Sequence, residues 1–392
     1  MRVLHIINSI ELGGAESFLL RLIQAQEKLG YTCFLLLLNP QKNDLFYYKY
    51  WKENSSFTEL NLFKDETSFF SKNLYKIDSI IKSSLGLHFK EYRKKKYYQR
   101  LFQLHQFDIV NTHGLSADFF TFFYLRKFIN FRWVLTSQGC YNDFTEVNKI
   151  TQMIPFINGM TYVAEKNLRI FNETGVSLTQ NKKLIFNGLS KDISVVYKNR
   201  KDFGLSHEDF VIGQITRSIP EKGMEISILA ALALIEKGYH HVKLIVMGPE
   251  NEYYLSLKNK YTSPNILFLG STQEPLAYVN LFDVGILPSY FPSESCPSTI
   301  VEYLAGNKPV IATNIGEIPN MIKTNDDLAG ILVEEKDALG LPSVEHFSLA
   351  IEQYLLNNNL YTKHKSLCAL AFEKFELEKI VEEYELIYKN SN

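Results

Sequence analysis

Glu294 and Glu302 lie eight positions apart in the stretch PSESCPSTIVEYLAG. Were the span helical throughout, they would stand about 12 Å apart along the axis. Paired carboxylates that cleave glycosidic bonds sit closer, at about 5–9.5 Å. A single acid/base pair is therefore disfavoured, and the two groups are better placed to hold the ends of a long polar ligand. Between them, Cys296, Pro297, Ser298 and Thr299 open a helix, since proline is tolerated at a helix start. The free amides of a helix N-terminus attract phosphate. A polar end, a phosphate and a second polar end together describe a nucleotide sugar. Taken alone, two glutamates are more often a solvated loop residue and an exposed helix position. What changes the weighing is the segment that follows, GNKPVIATNIGEIP, a strand and glycine turn at the same edge.

Other residues carry chemistry by type and place. Arg217 and Lys222, in ITRSIPEKG, are five apart where a strand gives way to a helix. Gly13 and Gly14, in LGGAES, join the first strand to the first helix; they allow close approach of backbone to a ligand, and the helix start beyond favours phosphate. The pattern is not G-x-G-x-x-G, so a dinucleotide fingerprint is unsupported. Glu16 is expected to serve the helix dipole rather than chemistry. His113, in VNTHGLSADFF, ends a strand, where a lone histidine is usually structural.

The elements that must position these residues alternate. DFVIGQIT, VKLIVMG, NILFLGS, VGILPS and KPVIATN are short apolar runs, separated by helical patterns such as GMEISILAALALIEKG and STIVEYLAG. The first half has the same rhythm: RVLHIIN, YTCFLLLLN, FDIVNTH, RWVLTSQ, MTYVA and KKLIFNG, with the helix AESFLLRLIQAQEKLG after the first strand. Apolar strands alternating with helices predict parallel sheets covered on both faces. The 392 residues exceed one ordinary core, so an α/β chain of two such domains is predicted, with a boundary near Asn187–Ser190. In open sheets of this kind ligands sit beyond the carboxyl ends of the strands, which makes the cleft between domains the first place to look.

The segment around the two glutamates resembles the glutamate–seven–glutamate signature of the retaining GT-B glycosyltransferases of glycosyltransferase family 4. The similarity covers nearly the whole second half and, more weakly, the first. It implies two Rossmann-like domains facing across a cleft: an acceptor-side domain at 1–187, a nucleotide-sugar domain at 188–372, and a helix at 373–392 returning to the first domain. It further implies that Glu294 contacts donor-sugar hydroxyls, Glu302 binds ribose hydroxyls, and Ser298 and Thr299 face the diphosphate. Arg217 and Lys222 match the basic pair that neutralises that diphosphate. Such cations lower the barrier as charge builds on the leaving group, and they can stand in for a metal ion. Gly13 and Gly14 match the family's glycine-rich loop facing the diphosphate, and His113 the histidine that reaches the reacting sugar. A second family histidine is replaced by Gln138, which cannot titrate. Asn187, in IFNGLS, matches a hinge-proximal turn and is assigned no chemistry.

The implied activity is transfer of a sugar, with retention and without a metal or other cofactor, from a UDP- or GDP-sugar to a glycan or lipid-linked acceptor. Retention in this family is attributed to a front-face path in which the leaving phosphate assists deprotonation of the acceptor hydroxyl. A GT-B sugar-nucleotide epimerase would show acid/base carboxylates facing the donor from the first domain, and no convincing set is found. A non-catalytic binding subunit is disfavoured because Arg217, Lys222, Glu294 and Glu302 are all present.

Charge and composition set the surroundings. Residues 1–185 carry 24 Lys+Arg against 16 Asp+Glu, a balance of +8, and the remainder carries 18 against 27, or −9. The basic stretch 88–102, HFKEYRKKKYYQRLF, has interleaved aromatics. Without a recognised motif it is weak support for nucleic-acid binding. An anionic membrane surface is its better partner, a solvated helix its plainer explanation. Cys33, Cys140, Cys296 and Cys368 lack metal-like or disulfide-like spacing, which suits a reduced, cytoplasmic protein. The N-terminus reads as a strand into a turn rather than a signal peptide, and CFLLLL is too short to span a bilayer. The expected location is cytoplasmic, peripheral to the inner membrane face.

Overall fold

The structure, a computed structural model, describes the chain except residues 12, 44–47, 50, 51, 54–56, 61–101, 127–130, 140–146, 192–194, 326, 391 and 392. The chain forms two compact units, residues 1–185 with 381–392, and residues 186–380.

The first unit is built on β1 (Arg2–Ile7), β2 (Thr32–Leu37), β3 (Thr58–Leu60), β4 (Ile109–His113), β5 (Arg132–Ser137), β6 (Gly159–Tyr162) and β7 (Lys182–Leu184). They form one sheet in the order β3-β2-β1-β4-β5-β6-β7, and every neighbouring pair is parallel. The inner strands are apolar on both faces because both faces are covered. Leu4, Ile6, Leu36, Val110 and Leu135 pack with Trp133 and Phe122 on one side. On the other, Ile7, Leu35 and Leu37 pack against Leu19, Leu20 and Ile23 of α1 (Gly14–Lys28). A short helix, α2 (Leu115–Phe120), leaves the end of β4.

In the second unit β8 (Phe210–Ile215), β9 (Val242–Met247), β10 (Ile266–Gly270), β11 (Val284–Leu287), β12 (Val310–Thr313) and β13 (Gly330–Val333) are again all parallel, in the order β10-β9-β8-β11-β12-β13. Successive side chains alternate between faces. Val211, Ile245 and Val310 meet α4 (Ser298–Ala305) and the Phe372–Phe375 segment, whereas Ile212, Val246 and Ile311 meet α3 (Met224–Glu236) and α5 (Val344–Leu356). The last helix, α6 (Leu377–Lys389), begins in the second unit and ends in the first, where its Tyr384 and Tyr388 hydroxyls are bonded. No helix among the described residues is long and apolar enough to cross a membrane.

Two strands escape the sequence pattern. β3 has three residues and β13 four, and both lie at sheet edges. β3, Thr-Glu-Leu, contains no apolar run to read, whereas β13, Gly-Ile-Leu-Val, is as apolar as strands of equal length that the sequence does reveal.

Both sheets reverse their order of growth at one place, between β1 and β4 in the first and between β8 and β11 in the second. This is the switch point at which open parallel sheets leave a crevice beyond their strand ends. In the second unit α4 lies close over it. A Cβ on Gly285 of β11 would stand 2.1 Å from the Tyr303 ring, and the Tyr303 hydroxyl accepts the Ile215 N–H at 2.9 Å. Gly285→Ala is therefore expected to cost about 1–3 kcal/mol by overpacking, read from the denaturant midpoint of the full chain. An unchanged midpoint would mean that α4 does not need this approach.

Candidate functional site

Three loops meet at the carboxyl end of the second sheet. The first follows β8: Pro220–Lys222 make a single 3₁₀ turn, and Gly223 then takes φ +70°, a left-handed conformation suited to glycine. A Cβ on Gly223 would also lie 2.2 Å from the Pro288 carbonyl oxygen, so this loop is pressed onto the end of β11. The buried Gln214 donates from Nε2 to the Lys222 carbonyl at 2.9 Å. The second loop follows β11, and its Tyr290 N–H donates to the Glu221 carbonyl at 2.8 Å. The third follows β12: the Glu317 N–H donates to the Ser295 carbonyl at 3.0 Å, and Gly316, at φ +56°, lies against the Glu294 backbone.

Inside this junction Lys222 and Glu294 form an ion pair, Nζ to Oε2 at 2.5 Å, with their side chains 8% and 5% exposed. The Ser289 hydroxyl donates to the same carboxylate oxygen at 2.6 Å and accepts the Phe291 N–H at 3.3 Å. The Phe291 ring lies beside both cations, 5.1 Å from the Arg217 guanidinium and 5.2 Å from the Lys222 ammonium. Such contacts stabilise neighbouring like charges. Arg217 is exposed and, among the described residues, is in no ion pair.

Pro297 sits at the N-cap of α4 in extended conformation, and no side chain caps the helix. Ser298 and Thr299 form its first turn, so the helix start is available to an anion. The Cys296 thiol is pushed up to about 12 by burial, although the Asn187 backbone bonds to it; it is neutral at physiological pH. Glu302 lies one turn into α4 and is buried, not solvated as a bare helix position would be.

The structure thus brings Arg217, Lys222, Glu294, Cys296, Pro297, Ser298, Thr299 and Glu302 onto loops and a helix start around one sheet edge. It also joins Lys222 directly to Glu294, which the sequence reading had given to different parts of a ligand. Ser289 and Phe291 were missed, and the signal was faint. Only the aromatic within PSYFPSES, just before the first glutamate, hinted at a cation partner.

The first unit holds the remaining candidates at its own switch point. Gly13 is the N-cap of α1 and Gly14 its first residue. The Glu16 carboxylate folds back over Gly13, within 2.3 Å of where a Cβ would be, so an acidic group already faces the helix start. His113 ends β4 and is buried, its Nε2 lying 3.1 Å from His5 Nδ1. Burial, then the neighbouring His5, hold His113 well below the ordinary histidine range. It is therefore a neutral imidazole near pH 7. Gln138, beyond β5, has both amide atoms buried without a partner among the described residues. The basic stretch 88–102 lies outside the described residues, Phe102 excepted.

Residues 196–366 match the family model described as glycosyl transferases group 1. The N-acetyl-alpha-D-glucosaminyl L-malate synthase of Bacillus anthracis is 27% identical over 227 residues, 56% of this chain and 57% of the synthase. The capsular polysaccharide biosynthesis glycosyltransferase CapM of Staphylococcus aureus is 28% identical over 142 residues, 34% of this chain and 35% of CapM. Both alignments span less than two thirds of the relative. Among solved structures, Anabaena Alr3699/HepE in complex with UDP aligns over 98% of this chain and 99% of its own, with a TM-score of 0.69 and 17% identity. That likeness establishes the fold, the two parallel-sheet architecture of GT-B glycosyltransferases.

A buried pair is broken at greater cost than it is replaced, because removing one partner strands the other charge. Lys222→Met should therefore destabilise the chain by about 3–5 kcal/mol, and adding Glu294→Gln should recover most of the loss. Denaturant unfolding of both variants checks this. Additive losses in the double variant would show that the two groups are not coupled.

Proposed function

We propose that this chain is a retaining glycosyltransferase that moves a sugar from a UDP- or GDP-sugar to a glycan or lipid-linked acceptor, without a metal ion. The observation that carries the proposal is the Lys222–Glu294 pair at the switch point, beside the exposed Arg217 and the uncapped start of α4. The match to a glycosyltransferase family supports it. So do the capsular polysaccharide role in the name of CapM and the UDP held by the Anabaena neighbour.

The chemistry follows from where charge develops. As the bond from the anomeric carbon to the diphosphate oxygen breaks, its electron pair leaves with the diphosphate. Preorganised cations and helix-start N–H groups stabilise that charge without reorganising. Arg217, Lys222 and the first turn of α4 are assigned to this task. The Glu294 carboxylate only accepts hydrogen bonds, so it suits sugar hydroxyls, and Lys222 and Ser289 hold it in place for them. Glu302, eight residues on, is assigned the ribose hydroxyls. The leaving phosphate itself takes the acceptor proton, so no second carboxylate is required. His113 in the first unit is assigned a hydrogen bond to a sugar hydroxyl rather than proton transfer, in keeping with its neutral state. The basic stretch 88–102 is assigned contact with an anionic membrane surface that would carry a lipid-linked acceptor.

Transfer or donor hydrolysis should stay within about twofold on adding EDTA, while Arg217→Ala lowers kcat/KM by about 10²-fold or more, on the scale of a lost transition-state donor. Activity abolished by EDTA and restored by magnesium or manganese would contradict the assignment of the countercharge to Arg217 and Lys222.

A further inference from the structure

A chain of buried hydrogen bonds runs through the first unit from the last helix to His113, and its direction can be read atom by atom. The Asn111 side-chain amide faces the Val134 carbonyl at 3.0 Å and the Thr136 hydroxyl at 2.9 Å. A backbone carbonyl can only accept, so the group facing it is Nδ2, and Oδ1 points the other way. At Oδ1 stands the Tyr388 hydroxyl, 3.1 Å away, which must donate. With its one proton committed, that hydroxyl accepts from the Gln26 amide nitrogen at 3.2 Å. Gln26 therefore turns Oε1 toward His5 Nε2, 2.9 Å away, and the Cys33 thiol lies on the same oxygen at 3.6 Å. An amide oxygen only accepts, so His5 carries its proton on Nε2.

Burial lowers His5 to about 4, with the Gln26 bond opposing, so near neutral pH it has a single ring proton. Its Nδ1 is then bare and accepts from His113 Nε2 at 3.1 Å. His113 is also neutral, and with its proton on Nε2 its Nδ1 carries only a lone pair. That atom is buried and has no hydrogen-bond partner among the described residues. A buried acceptor without a donor costs about 1–3 kcal/mol, an outlay for which the fold alone offers no return.

We propose that Gln26 and Tyr388, acting through His5, are positioning residues that hold His113 in its Nε2–H tautomer, so that Nδ1 faces a ligand as an acceptor only. Resting on the transferase reading, the ligand group is a sugar hydroxyl, which supplies the missing donor. Gln138, just beyond the neighbouring strand, adds a second polar group without a partner among the described residues at this edge, with both a donor and an acceptor. The arrangement explains how one family histidine can serve without a titrating partner at position 138. It also gives α6 a role beyond packing, since the tautomer of a strand-end residue is set by a tyrosine near the end of the chain.

Histidine-selective nitrogen NMR of the full chain tests the proposal whether or not the chain transfers sugar. The His113 signals are identified by their loss in His113→Gln. At neutral pH the wild type should show a protonated Nε2 and an unprotonated Nδ1 on His113. Gln26→Leu and Tyr388→Phe, which cut the chain at different links, should each move His113 toward a mixture of tautomers. A proton on His113 Nδ1 in the wild type would overturn the proposal without any variant. So would an unchanged His113 in folded Gln26→Leu and Tyr388→Phe.

Discussion

Two opposite charges can remain inside the second unit only while they remain together. Lys222 and Glu294 come from loops after different strands, 72 residues apart, and each would be costly to bury alone. Their pairing holds the loop after β8 against the loop after β11, and the backbone bonds from Tyr290 to Glu221 and from Glu317 to Ser295 close the junction. The ligand-recognition residues of the second unit are arranged around this junction. Arg217 leaves one side of it, α4 begins on the other, and Phe291 lies beside both cations.

Topology decides where such a junction can form. In each sheet the strands that flank the reversal of order are separated by several elements in sequence and adjacent in space. Their following loops diverge to opposite faces, and the edge between them stays open. The second unit fills this edge with cations, a carboxylate and a helix start. The first fills it with Gly13, Gly14 and a histidine whose protons are set from behind by a hydrogen-bond chain. The same backbone plan thus supports an ion-paired edge in one unit and, in the other, an edge whose histidine is neutral and hydrogen-bonded.

Much of this was legible in the amino-acid sequence because it is local. Apolar runs such as FVIGQI and VKLIVM announce buried parallel strands, and the spacing of Glu294 and Glu302 is visible without a structure. What stayed hidden depends on contacts between distant residues. The Lys222–Glu294 bond joins positions 72 apart, and His5 meets His113 across 108. Ser289 could not be told from any loop serine until its hydroxyl was seen on the carboxylate. The glycines at 13 and 14 pointed to a close approach to ligand, yet the space over Gly13 holds the Glu16 carboxylate. β3, with the sequence Thr-Glu-Leu, leaves no apolar run to read.

The central claim is that the edge of the second unit divides a nucleotide sugar between its two glutamates, and calorimetric titration with free nucleoside diphosphates tests it most directly. UDP or GDP should bind the wild type, and Glu302→Ala should weaken that binding by about 1–3 kcal/mol, the worth of hydrogen bonds to a charged group. Glu294→Gln, which keeps an acceptor for Lys222 and the Ser289 hydroxyl and so preserves the junction, should leave it unchanged. Equal losses in both variants, or no binding of either nucleotide to the wild type, would contradict the account.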